Sequence, residues 1–378
     1  MRFFHLSDLH LGIRVNEFSM LDDQRDILIK IIGHAVDHKP DAVIIAGDIY
    51  DKNIPTVEAM QLLDWFLVEL NKQGIAVYLI AGNHDSTERV SFAATLLGKS
   101  NVHISDVYKG QFLPIKAQDE HGGINMWLMP YLKPSLVRAY FRVQEIASYS
   151  DAVKAALGNL EINTSERNIL VAHQFVTGAI CSESDEVLVG GSENVDGTLF
   201  DAFDYVALGH LHRPQNVYRE TMRYSGTPLK YSLSEADHIK SVTLVDIGNK
   251  GNVEISEIPL SPLNDLREIR GTYKELTALK NYSESNTHDY VYIVLTDEDE
   301  EPEAIQKLRN IYPNIMRLRY DNTRTQASLP DVIVSSHDNK EPVDLLGELY
   351  EMQNGQPMSE TQRAYSLNLL DKIREENA

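Results

Sequence analysis

Five short stretches of the 378-residue sequence carry side chains that bind metals or move protons. They are Ser7-Asp8-Leu9-His10, Gly47-Asp48, Gly82-Asn83-His84-Asp85, Ala172-His173 and Gly209-His210-Leu211-His212. Together they offer three acids, one amide and five imidazoles, each group behind an apolar run. Mixed nitrogen and oxygen donors without thiolate suit Mn²⁺, Fe or Zn²⁺. Asp8, His10, Asp48, Asn83, His173, His210 and His212 exceed one coordination sphere. They suit two ions, roughly 3.5–4 Å apart, with one carboxylate between them. Such a pair generates hydroxide at neutral pH and clamps a phosphoryl group during in-line attack. His84, beside Asn83, is then the residue to protonate a leaving group. A lone Asp-x-His is a weak signal, because a histidine at a strand end is more often structural. Five donor segments in this order, each after a strand, are a strong one.

The elements around these segments must bring them together. Residues 2–7 read as a strand, and in extended chain residues i and i+2 point the same way, so Asp8 and His10 converge at its C-terminal end. Ligands of open α/β sheets sit at that end. Residues 21–35 have helical spacing, 41–46 form an apolar strand, 56–73 a second helix behind Pro55, and 75–81 a third strand. This alternation predicts βαβ units and a buried sheet. Further on, 101–104, 124–128, 168–172 and 205–208 read as strands, with helices at 136–147 and 152–160. A polar loop containing Gly190-Gly191 separates His173 from Asp204; loops this long inside a domain are usually functional. Residues 241–246 and 253–258 form a hairpin across Gly248-Asn249-Lys250-Gly251. Sheet on sheet with flanking helices predicts a four-layer αββα sandwich.

Two prolines between residues 259 and 266 mark a boundary. The expected organisation is a catalytic domain over 1–262, a small α/β cap over 263–338 and a helix-loop-helix over 339–378. The cap rests on strands at 290–295 and 315–320 around a helix at 302–311. The acidic run Asp297–Glu301 reads as a solvated face that complements the helix dipole. Ser359 and Gln362 fit a capping box. Leu345, Leu346, Leu349 and Met352 make one apolar stripe, and Leu367, Leu370 and Ile373 another. Two short helices cannot bury both stripes alone, so they dock on the cap or on a partner helix.

The net charge of −21 argues against a broad basic footprint for nucleic acid. A phosphate-polymer substrate would then need bound cations, local Arg or Lys, or a partner to offset repulsion. One cysteine, Cys181, rules out an internal disulfide and suits a reducing cytoplasm. With no apolar run of about 18 residues and no charged-then-apolar leader, the expectation is a soluble, cytoplasmic chain with no membrane association.

The five motifs resemble those of the calcineurin-like metallophosphoesterases: Asp8-x-His10, Gly47-Asp48-x-x-Asp51, Gly82-Asn83-His84-Asp85, His173 and Gly209-His210-x-His212. Within that superfamily the sequence is more similar to the bacterial SbcD nucleases. His10-Leu11-Gly12, Asn83-His84-Asp85-Ser86 leading to Glu88-Arg89, the run from Asp204 to Gln215, and Tyr224 to Ser232 carry that likeness. The resemblance covers residues 1–260, with looser motifs beyond. It implies the metallophosphoesterase sandwich and two divalent metal ions, with Mn²⁺ (manganese) as the expected species. One ion would be held by Asp8, His10, Asp48 and His212, and the other by Asp48, Asn83, His173 and His210. It also implies His84 as the catalytic residue at the leaving group and Asp51 as its carboxylate partner. Arg89, Arg14 and Arg213 are candidates for substrate phosphate, and Lys133 a weaker one. The implied activity is exonuclease action, 3′ to 5′, at double-strand DNA ends, with endonuclease action on single strands and hairpins. The implied setting is repair, recombination and replication. The implied partners are DNA, an SbcC-type coiled-coil ATPase in a heterotetramer, and a second copy of the chain. A phosphatase or small-molecule phosphodiesterase on the same fold, and a non-catalytic DNA-end tether, are the competing readings. A separate cap and helical pair, and an intact donor set with His84, speak against them.

Overall fold

A computed structural model describes residues 1–141, 146–182, 184–185, 193–327, 342–354 and 357–376. Gly190-Gly191, residues 142–145 of the expected helix at 136–147, and residues 328–341, 355–356 and 377–378 lie outside the described residues.

The chain divides into two compact units. The first comprises Met1–Glu268 with Asn286–Tyr292 and Tyr312–Arg317. Its framework is two six-stranded sheets. In the first sheet Arg2–Leu6 lies between Ser241–Ile247 and Ala42–Ala46, followed by Ala76–Ile80 and Val102–Ile104, with Val253–Pro259 on the far edge. In the second, Arg167–His173 lies between Tyr205–Gly209 and Gly122–Leu128. Ile115–Asp119 closes one edge of that sheet, and Arg219–Tyr224 with Gln215–Val217 the other. The strands before the donor segments run parallel: Leu6 pairs with Ile45, Ile45 with Leu79, and Gly209 with His173. The donor segments therefore emerge side by side.

Strands buried on both faces read as continuous apolar runs, and Ala42–Ala46 is buried at every position. Its alternate residues feed two cores. Ala42, Ile44 and Ala46 meet Tyr78, Met126, Ile169, Val171 and Tyr205 between the sheets. Val43 and Ile45 pack outward with Ile27, Ile31, Leu62, Phe66 and Leu70 of the helices Leu21–His38 and Val57–Lys72. On the far side, Leu170, Val206 and Leu208 pack with Val137, Val153 and Ala156 of the helices Pro134–Arg138 and Tyr149–Gly158. The αββα layering expected from the sequence follows. The helix expected over 136–147 is short and ends at Arg138. The hairpin after residue 240 forms as expected, Ser241 pairing with Pro259 and Ile247 with Val253.

The second unit comprises Ile269–Ser285, Ile293–Ile311 and Leu318–Ala378. The strands Leu266–Gly271, Tyr290–Leu295 and Ile315–Tyr320 form a three-stranded sheet with Tyr290–Leu295 in the middle. The helix Ala304–Arg309 connects its last two strands. The helices Pro342–Asn354 and Glu360–Glu376 are tied by an Arg363–Asp344 ion pair and by Gln362 Nε2 donating to the Tyr350 hydroxyl at 2.9 Å. The Ser359–Gln362 capping box is present: the Ser359 amide donates to Gln362 Oε1 at 2.9 Å, and the Gln362 amide to Ser359 Oγ at 3.3 Å. Leu346, Leu349 and Leu367 are exposed; the side chains of Leu345, Met352, Leu370 and Ile373 lie outside the described residues.

Two outcomes check this account. Phe66 is fully buried among aliphatic neighbours, so Phe66→Ala is expected to cost about 3–5 kcal/mol in urea unfolding. His5 is buried between the Tyr205 hydroxyl, 2.9 Å from Nδ1, and the Leu208 carbonyl, 3.2 Å from Nε2. Burial, helped by Arg223, pushes its pKa down to about 3 from an ordinary 6.5. The unfolded chain therefore takes up a proton first, and stability from this group is lost as pH falls from 6.5 towards 3. In His5→Gln, unfolding free energy should fall less steeply with acidification across that window; an unchanged slope would refute the assignment.

Candidate metal centre

The donor segments meet beyond the strand ends. Arg2–Leu6 stops before Asp8, yet its parallel pairing continues into the loops. The Asp8 amide donates to the Gly47 carbonyl at 3.0 Å, His10 to Asp48 at 3.0 Å and Leu11 to Ile49 at 2.9 Å. Asp8 and His10 are not in extended chain, and the expected i, i+2 geometry does not place them. Both have left-handed backbone, with φ of 52° and 43°, as do Asp48 at 46° and His210 at 105°. Such conformations cost about 1–3 kcal/mol each in non-glycine residues and cluster at functional sites. The tight turns aim these side chains inward.

Close packing explains the glycines before the donors. A Cβ on Gly82 would stand 2.1 Å from Asp48 Oδ1, and one on Gly209 would stand 2.0 Å from the Ala46 carbonyl oxygen.

All seven expected donors and His84 converge here. Asp8, Asp48 and His173 offer atoms within 4.8 Å of one another, and so do His10, Asp48 and His84. Asp48 belongs to both groups. His173 Nε2 lies 3.3 Å from Asp48 Oδ2 and 2.9 Å from Asn83 Oδ1, and His210 Nδ1 reaches the same Asn83 oxygen at 3.0 Å. The His10 and His212 rings are 5.1 Å apart. His10, Asp48, Asp51, Asn83, His84, His210 and His212 line a cavity of about 120 Å³. Arg14, Arg89 and Arg213 are exposed and are not among the described residues lining it.

The donors fit divalent cations. Both ring nitrogens of His10 are buried without a hydrogen-bond partner among the described residues, an arrangement costly for the fold alone. Burial pushes Asp8 up to about 6 and His10 and His210 down to about 3. Burial opposes charge on Asp48 and His173 too, but their mutual attraction prevails. It holds the Asp48 carboxyl below the ordinary carboxylate range and raises His173 to about 9. His84 Nδ1 donates to the main-chain carbonyl of Asp51 at 3.0 Å, which leaves Nε2 as the nitrogen able to give a proton to substrate.

The sequence motif includes Asp85 but gives it no role; the structure does. Its buried carboxylate accepts from the amides of Ile49 and Tyr50, both at 3.0 Å, and of Gly82 at 2.9 Å. It therefore clasps the Asp48 loop to the Asn83 loop. The chemical signal is a carboxylate two residues after Asn83 in an otherwise donor-rich run. Gln24 carries no such signal: its side chain donates to the His10 carbonyl at 2.8 Å and accepts from the Gly12 amide at 2.9 Å.

Asp85→Ala strands the buried amides of Ile49 and Gly82 and the half-buried amide of Tyr50, and should cost at least about 2 kcal/mol in urea unfolding of the metal-free protein. Gly82→Ala should retain wild-type far-ultraviolet circular dichroism yet lose divalent-cation binding in calorimetry, because the new methyl group overlaps Asp48.

Residues 1–214 match the family model of calcineurin-like phosphoesterases, and residues 262–354 match the model described as a type 5 capsule protein repressor C-terminal domain. The chain is 33% identical over 322 residues to the SbcD component of the nuclease SbcCD of Staphylococcus epidermidis, covering 84% of this chain and 85% of that one. Among solved structures, a dimetal phosphatase from Danio rerio is 13% identical with a TM-score of 0.39, covering 69% of this chain and 99% of that one. A Thermus thermophilus protein is 12% identical with a TM-score of 0.40, covering 68% and 98% respectively. With over half its length under the phosphoesterase model and most of it aligned to one nuclease component, the chain belongs to the calcineurin-like phosphoesterases and, within them, to the SbcD family.

Proposed function

We propose that this chain is a metal-dependent DNA nuclease that hydrolyses phosphodiester bonds at double-strand ends, 3′ to 5′, and within single strands and hairpins. The observation that carries this reading is that Asp48 belongs to two donor groups, one with His10 and His84 and one with Asp8 and His173, in a chain aligned along 84% of its length with a nuclease component. Asp8, His10, Asp48 and His212 are the residues to hold one ion, and Asp48, Asn83, His173 and His210 the other. Bound divalent cations, Mn²⁺ in this proposal, would supply an activated water and neutralise phosphoryl charge. The protein does the rest. Asp48 keeps the two positions together from the end of a central strand. The Asp51 carbonyl fixes the His84 ring, so a protonated His84 delivers the Nε2 proton to the leaving oxygen and returns to the Nδ1–H form. The Asp51 carboxylate is proposed to help orient that ring. Arg14, Arg89 and Arg213 are proposed phosphate contacts outside the cavity.

Residues 1–262 are the proposed nuclease domain, 263–338 the cap and 339–378 the docking segment for an SbcC-type ATPase in a heterotetramer. Exposed Leu346, Leu349 and Leu367 support that last role. Exposed Val57 and Met60 on Val57–Lys72, and exposed Phe92 and Leu96, support a homodimer. Among the described residues no helix is long and apolar enough to cross a membrane; a cytoplasmic setting in repair, recombination and replication completes the proposal.

Purified protein with Mn²⁺ is expected to degrade labelled linear duplex DNA, and Asp48→Ala to abolish this. His84→Asn should bind metal as wild type while cleavage falls by about 10²–10⁴. Rapid hydrolysis of p-nitrophenyl phosphate with no DNA cleavage, even with the ATPase partner added, would replace the nuclease reading with a phosphatase.

A further inference from the structure

The four histidines of the proposed donor set are supported differently. His173 Nδ1 donates to the Ala46 carbonyl at 2.8 Å, a neutral acceptor. His210 Nδ1 faces Asn83, itself a proposed donor, and His10 has no hydrogen-bond partner among the described residues. Among the described residues only His212 meets a carboxylate from outside the set: its Nδ1 lies 3.0 Å from Glu235 Oε1.

Glu235 stands on the short turn Leu233–Glu235 and is fully buried. Its second oxygen accepts from Lys240 Nζ at 2.5 Å and from Thr227 Oγ1 at 3.2 Å. Lys240, also buried, donates to Thr227 Oγ1 at 2.6 Å and to the His212 carbonyl at 2.9 Å. His212 is therefore gripped at its ring by Glu235 and at its main chain by Lys240. Stability alone is a poor reason for such a pair, since well-packed apolar residues often replace buried ion pairs at no loss. A carboxylate behind a metal-binding imidazole has a specific effect: it fixes the proton on one nitrogen, orients the ring and strengthens the other nitrogen as a donor.

We propose that Glu235, aligned by Lys240, is a positioning residue that sets the affinity of the one ion His212 helps to hold. This rests on the two-ion reading above. The two ion positions are then unequal by construction, because no comparable carboxylate supports His173, His210 or His10 among the described residues.

The test is calorimetric titration of Mn²⁺ into the metal-free full chain. Wild type should bind two ions. Glu235→Gln keeps the size of the side chain and an acceptor for the His212 ring; it should weaken one binding event by about 10–100-fold and leave the other unchanged. The doubly neutral Glu235→Gln/Lys240→Met, which leaves no uncompensated lysine, should show the same selective loss. Electron paramagnetic resonance should report an isolated Mn²⁺ in both variants at concentrations where wild type shows a coupled pair. Two unchanged events in the neutral pair, or equal weakening of both, would overturn the proposal. A wild type that binds one ion or none would overturn the two-ion reading instead.

Discussion

Asp8 and Asp48 are buried side by side, and the centre must manage their repulsion away from water. Among the described residues neither pairs with a lysine or arginine; the neighbours of Asp48 are the rings of His10, His84 and His173, and His173 carries the compensating charge. Main-chain amides contribute as well: that of His210 donates to Asp8 Oδ1 at 3.0 Å and that of His84 to Asp48 Oδ1 at 2.9 Å. These are partial compensations for two negative charges in a low-dielectric interior. The site is thus built with an electrostatic demand for cations, and the strained backbone, the crowded glycines and the Asp85 clasp all hold that demand in place.

Much of this is legible in the sequence. Apolar runs ending in donors point to the parallel strands, and seven donors without thiolate point to the chemistry. Helix periodicity places Leu21–His38 and Val57–Lys72 within a few residues. What escapes is set by contacts distant in sequence. Ile115–Asp119 reads as polar because it is an edge strand with alternate residues exposed. Glu235 and Lys240 look like surface residues until Thr227 and His212 arrive from elsewhere in the chain. The sequence puts Asp8 and His10 in the right place for an incomplete reason: hydrophobic spacing marks the strand but not the left-handed turn just beyond it, which residue type alone only weakly favours.

The acidic balance of the chain, −21, makes a complementary point. A long anionic substrate gains nothing from the overall field of this protein at distance. Its attraction must come from cations at the centre, from scattered arginines or from a second protein. Within the proposed complex, a division of labour between capture and cleavage follows naturally from that charge.

The hydrogen-bond ladder running past the strand ends, from Asp8 to Gly47, His10 to Asp48 and Leu11 to Ile49, has a consequence for control. Because the Asp8–His10 loop and the Asp48 loop are stitched to each other as a continuation of the central sheet, opening either one breaks hydrogen bonds shared with the other. Loosening a single one of these loops is therefore a costly route to control. The approach routes are the cheaper one: what reaches the cavity, and at what angle.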